Sequence, residues 1–132
     1  MTRLSLACAA TVLALASAPY ALPAQAAIAD YEFQLVETEL KEGPAEVAVR
    51  LVDKRTGQPV PGAIIFAARA DMQPDGMETM TSSIEAVPSS VPGIYRFRVE
   101  LSMEGNWRLS LAAKVQGETG TLQGRLVLRA RP

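Results

Sequence analysis

The stretch Tyr95–Met103, YRFRVELSM, alternates apolar and polar residues without a break. Successive side chains of a β-strand point to opposite faces. This period of two therefore places Tyr95, Phe97, Val99, Leu101 and Met103 on one face, and Arg96, Arg98 and Glu100 on the other. The same period recurs in YEFQLVE (Tyr31, Phe33, Leu35), EVAVRL (Val47, Val49, Leu51), WRLSLAAKV (Trp107, Leu109, Leu111, Ala113, Val115) and RLVLRA (Leu126, Leu128). AIIFAARA and TSSIEAV are weaker strand segments, and the first is apolar enough to predict burial on both faces. Glu42-Gly43-Pro44, Thr56-Gly57-Gln58-Pro59, Pro61-Gly62, Pro92-Gly93, Glu104-Gly105-Asn106 and Gln116-Gly117 supply turns, and Pro88 and Pro92 flank a loop. About seven short strands with turns every ~8–12 residues predict an all-β fold, an immunoglobulin-like antiparallel β-sandwich.

Face matching predicts one register. A hairpin tip of three residues, Glu104-Gly105-Asn106, pairs Met103 with Trp107, Leu101 with Leu109 and Val99 with Leu111, keeping both apolar stripes on one side. Such a tip needs a residue in the left-handed region, which Gly105 or Asn106 can supply. If each connection reverses direction, the loop after AIIFAARA emerges at the same end as this tip. Met72, Met77 and Met80 then gather near Met103 and Trp107.

The first 26 residues predict the compartment. MTRLSLACAATVLALASAPYALPAQA carries one cation at Arg3, an apolar run from Leu4 to Ala16 and the small-residue ending Ala24-Gln25-Ala26. That three-part pattern is expected of a cleavable signal peptide, and Pro19 and Pro23 interrupt it too early for a membrane span. Residues 1–26 are thus read as a leader and 27–132 as one domain, periplasmic or secreted, with no membrane anchor after cleavage. Cleavage removes Cys8, the only cysteine, so no disulfide can form within the exported chain. Without Arg3 the 13 basic residues become 12 against 14 acidic ones, a net charge of −2 with both signs interspersed. Nothing in that pattern points to nucleic acid or an anionic membrane surface.

The chain has no histidine, which removes the commonest general base and the commonest metal ligand. Nucleophilic catalysis would need a Ser–Lys arrangement, and Lys41, Lys54 and Lys114 stand in no such motif. The chain is therefore read as non-enzymatic. ADMQPDGMETM, residues 70–80, instead concentrates three methionines in a polar, loop-like segment. Thioethers are neutral, polarizable donors suited to Cu(I) or Ag(I), with Asp71, Asp75 or Glu78 available to offset the ion's charge and Trp107 to offer a ring face. The same methionines would equally cover the open end of a sandwich, and Met103 and Trp107 continue a core-facing stripe.

Two stretches add a likeness to a known family. PGIYRFRVELSMEGNWRLSL, with Gly93, Tyr95, Met103, Gly105, Trp107 and Leu109, resembles the closing half of the FixH/YtkA-like domain. VRLVDKRTGQPVPGAIIFAARADMQPDGM resembles its opening half. The resemblance implies a small exported β-sandwich, in many members linked to copper efflux or copper supply to oxidases, with a metal-efflux or metal-transfer protein as partner. It also implies a metal site on Met72, Met77, Met80 and Met103. The lack of histidine directs the expectation to Cu(I) or Ag(I), and the lack of the FixH-type anchor directs it to a soluble role. An alternative class, a metal-independent interaction module working through a sheet edge or the methionine end, fits the same sequence. The exported form is expected to begin at Ala27; intact-mass measurement of periplasmic protein checks this, and retention of residues 1–26 would overturn it.

Overall fold

The computed structural model describes residues 27–132; the expected leader lies outside them. After a 3₁₀ turn at Ile28–Asp30 come nine strands: β1 (Tyr31–Leu35), β2 (Glu39–Lys41), β3 (Gly43–Asp53), β4 (Ile64–Met72), β5 (Met77–Ser82), β6 (Ile84–Val87), β7 (Ile94–Leu101), β8 (Gly105–Lys114) and β9 (Leu122–Arg131). They form two packed sheets in the orders β1-β3-β7-β6 and β2-β9-β8-β4-β5. Every neighbouring pair is antiparallel except β2 with β9. The fold is the immunoglobulin-like sandwich that the alternation predicts, and the two extra strands are short pieces at sheet edges.

The inward stripes meet between the sheets. Trp107, Leu109, Leu111 and Ala113 of β8 face Val47, Val49 and Leu51 of β3 and Phe97, Val99 and Leu101 of β7, and all are buried. With no disulfide available, this apolar contact is the main driving force for folding, at roughly 1.5–3 kcal/mol per large side chain removed from water. One contact shows how closely the sheets approach. Gly124 of β9 has no side chain, and a Cβ there would lie 2.6 Å from Cδ2 of Phe33 on β1. The Phe33 ring fills the place that a side chain on β9 would need.

Four local expectations need correction. First, β7 and β8 do not form a hairpin. β7 pairs with β3 and β6, β8 pairs with β4 and β9, and Ser102–Glu104 carries the chain from one sheet to the other. Face parity could not make this distinction, because an arch between facing sheets and a hairpin within one sheet both keep two apolar stripes turned to the core. Second, β4 is not buried on both faces: Ile64 is 65% and Phe66 56% exposed, on the outer side of their sheet. Third, the methionine segment is only partly a loop. Met72 ends β4, Gln73–Asp75 form one 3₁₀ turn, and Met77 and Met80 lie on β5. Fourth, Gly43 and Pro44, expected in a turn, begin β3.

Replacing Trp107 with Ala should cost about 3–5 kcal/mol in urea unfolding, the range for removing a fully buried large aromatic. Gly124→Ala should cost about 1–3 kcal/mol by displacing Phe33, and Phe33→Leu should reduce that penalty if the clash is its cause.

Candidate functional site

The methionine end is built by the chain segments that leave β4 and enter β8. Gly76, at φ +74°, closes the 3₁₀ turn after Met72. Asp75, the last residue of that turn, reaches across to β8: its Oδ2 accepts the Asn106 backbone N–H at 2.7 Å, and its Oδ1 accepts the Asn106 side-chain amide at 3.0 Å. These bonds hold the Asp75 carboxyl below the usual carboxylate range. Gly105 makes the approach possible. Its φ of +141° disfavours other residues, and a Cβ there would collide with Asp75 Oδ2 and lie 2.6 Å from Met72 Cε. The Asp75 carboxylate and the Met72 methyl thus converge on one glycine.

Met72 and Met77 are register partners between β4 and β5. Met72 is fully buried, Met77 and Met103 are partly buried against the same core, and Met80 is 37% exposed. Met72 therefore belongs to the core, Met77 and Met103 pack against that core, and Met80 lies at the surface. Trp107 is fully buried, and its indole N–H donates to the Met103 carbonyl at 3.1 Å. Met103 and Trp107 are neighbours as expected, but across an arch and through the backbone.

The acidic residues expected to assist a cation have other partners. Asp71 is completely buried; it accepts the Gln73 N–H at 2.9 Å and an Arg108 N–H at 3.0 Å, with Arg69 Nε 3.7 Å away. Burial alone would push its carboxyl up, but the Gln73 N–H and the two guanidiniums outweigh that and bring it below the usual range. Arg108 also lies 3.7 Å from Glu78, while its Nε is buried without a hydrogen-bond partner. Among the described residues no group of three or more His, Cys, Asp or Glu is placed to hold a metal, so a metal site here would rest on thioethers. Sequence reasoning missed the Asp71–Arg108 pair and the role of Gly105. Both depend on which strands become neighbours, and alternation does not specify that.

A family model described as YtkA-like matches residues 25–112, well over half of the chain. The chain belongs to the YtkA-like family. No match is found among curated proteins. Among solved structures, the chain is similar to the Lin-41 filamin domain, at 22% identity and a TM-score of 0.42 over 70% of this chain and 91% of that one. It is also similar to the ZirS C-terminal domain, at 15% identity and a TM-score of 0.45, covering 100% of this chain and 95% of the other. A conjugative transposon lipoprotein from Bacteroides eggerthii matches at 9% identity and a TM-score of 0.34, over 78% of this chain and 98% of that one. Among the described residues of this YtkA-like protein no helix is long and apolar enough to cross a membrane.

Because Asp71 and Asp75 have lowered pKa values in the folded state, their contribution is complete above the unfolded value of about 3.9 and is lost as pH falls through the folded values. Stability should therefore decline below about pH 4, and Asp75→Asn should flatten that acid limb in denaturant titrations at several pH values. Asp71→Ala should cost about 3 kcal/mol or more at neutral pH, because it leaves Arg108 without its closest carboxylate.

Proposed function

We propose that this YtkA-like protein is an exported, non-enzymatic metal-handling module that carries Cu(I) or Ag(I) at its methionine end. A metal-transfer or efflux protein would exchange the ion with it. The observation that supports this most is the convergence at Gly105: the Met72 methyl and the Asp75 carboxylate meet there, and Met77 is the strand partner of Met72. A soft monovalent ion needs several thioethers, because each binds weakly, together with some negative charge to offset its own. Met72, Met77 and Met103 supply the sulfurs, Asp75 supplies an ionised carboxylate, and Met80 at the surface supplies a point of entry or exchange. The β-sandwich suits a carrier because rigid strands on both sides hold the donors before the ion arrives.

Cu(I) added anaerobically at about 100 times its dissociation constant should raise the stability of the parent by about 2.7 kcal/mol. Leucine nearly matches methionine in volume and lacks sulfur, so replacing Met72, Met77 and Met80 together with Leu should leave the fold intact at less than about 1.5 kcal/mol per site. The triple variant should lose the stabilisation by Cu(I). A parent that Cu(I) does not stabilise has no such site.

A further inference from the structure

The two sheets treat the cations on their outer faces differently. On the four-stranded sheet the arginines of β7 meet acids across the ladder: Arg98 is the register partner of Glu46 and of Glu85, and Arg96 Nε lies 2.8 Å from a Glu46 carboxylate oxygen. Opposite charges on facing strands stabilise a sheet. One row of the five-stranded sheet departs from this pattern. Arg69 of β4, Ser110 of β8 and Arg125 of β9 are successive register partners, so two guanidiniums flank one hydroxyl with no acid in the row. At a strand spacing of ~4.8 Å, the two arginine Cα atoms lie about 9.6 Å apart.

A cleft of about 410 Å³ opens over this row, lined by Arg69, Arg108, Ser110, Gln123 and Arg125 among others. The adjoining row, Ala67 with Ala112 and Ala112 with Gln123, gives the cleft a shallow apolar floor. The protein itself makes little use of these polar groups. Among the described residues, Arg125 has no ion pair, and neither the Ser110 hydroxyl nor the Gln123 amide has a hydrogen-bond partner. Arg69 is 58% exposed, and its one carboxylate, Asp71 at 3.7 Å, is already held by Arg108 at 3.0 Å. Glu78 is the one acid lining the cleft among the described residues; it lies 3.7 Å from Arg108 and is 69% exposed. Three arginines against Asp71 and Glu78 leave one positive charge over.

We infer that this cleft binds a small dicarboxylate, with one carboxylate on Arg69, the other on Arg125 and the carbon chain between them over Ser110 and Ala112. A guanidinium fork matches a carboxylate through two parallel hydrogen bonds. Two separated cations call for an anion charged at both ends, and the alanine floor favours carbon between those ends. Inorganic phosphate offers neither. The Ser110 hydroxyl and the Gln123 amide supply neutral donors along the ligand, and the cleft falls within the ~300–1,000 Å³ of small-molecule sites. An extended acidic polymer fits less well, because the excess charge is confined to one row. On one side of it Val127 is 53% exposed and Arg108 is bound to Asp71; on the other Lys114 donates to the Gly120 carbonyl.

The inference is independent of the metal reading and is tested on the metal-free domain. Succinate is titrated by NMR in about 0.1 M salt, where charges more than ~10 Å apart are largely screened. It should bind saturably, one per chain, and shift the amides of Arg69, Ser110 and Arg125. Arg125→Gln and Arg69→Gln should each weaken it by about tenfold, as should replacing succinate by acetate or inorganic phosphate. Arg96→Gln removes the same charge from the other sheet and should change nothing. Arg125 is exposed, so Arg125→Gln should unfold at the parent's temperature and report binding alone. The proposal is overturned if succinate fails to saturate by about 10 mM, if the shifts fall elsewhere, or if Arg96→Gln weakens binding as much as Arg125→Gln. Phosphate binding as tightly as succinate overturns it too. A glutamate octapeptide that binds this row more tightly than succinate would assign the cleft to an acidic protein segment and overturn the dicarboxylate.

Discussion

The arch from β7 to β8 determines the arrangement of the rest of the sandwich. It carries the chain from one sheet to the other in three residues, Ser102–Glu104, and the Trp107 indole closes it by donating to the Met103 carbonyl. A buried indole N–H without a partner would be costly, so this bond allows the largest side chain of the core to lie fully between the sheets. Once Trp107 is placed, β8 is fixed against β4 and β9, and β7 against β3 and β6.

The two ends of β4 differ in their surroundings. At the Met72 end, short-range bonds from Asp75 and the bare surface of Gly105 draw two connections together and leave little free space. At the Ile64 end, the strand loses its neighbour and a cleft with fixed walls remains.

Much of the fold was legible in the sequence, because burial on one face leaves a period of two that survives any choice of neighbours. The inward set Phe97, Val99, Leu101, Trp107, Leu109 and Leu111 follows from it directly, and all six are buried. Strand pairing was not legible in the same way. Met103 and Trp107 satisfy one parity in a hairpin and in an arch, and only the positions of β3 and β9, distant in the chain, separate the two. The exposed Ile64 and Phe66 were misjudged because apolar residues normally gain by burial, and an edge kept open looks the same in sequence as a strand covered on both faces. At the candidate site, strand reversal accounts for the approach of the Met72 end of β4 to Gly105. It does not account for the commitment of Asp71 to Arg108, since their 37-residue separation is bridged only once β4 and β8 lie side by side.

The position of β9 has a bearing on how this chain is made. Residues 122–131 do not decorate an edge; they lie inside the five-stranded sheet, antiparallel to β8 and parallel to β2. Until they emerge from the ribosome, β8 lacks a flank, β2 lacks its only neighbour, and Phe33 has no Gly124 to pack over. Sandwiches of such non-local pairing are slow to form in any case. The five-stranded sheet therefore cannot be completed by local pairing, and its closure waits on β9.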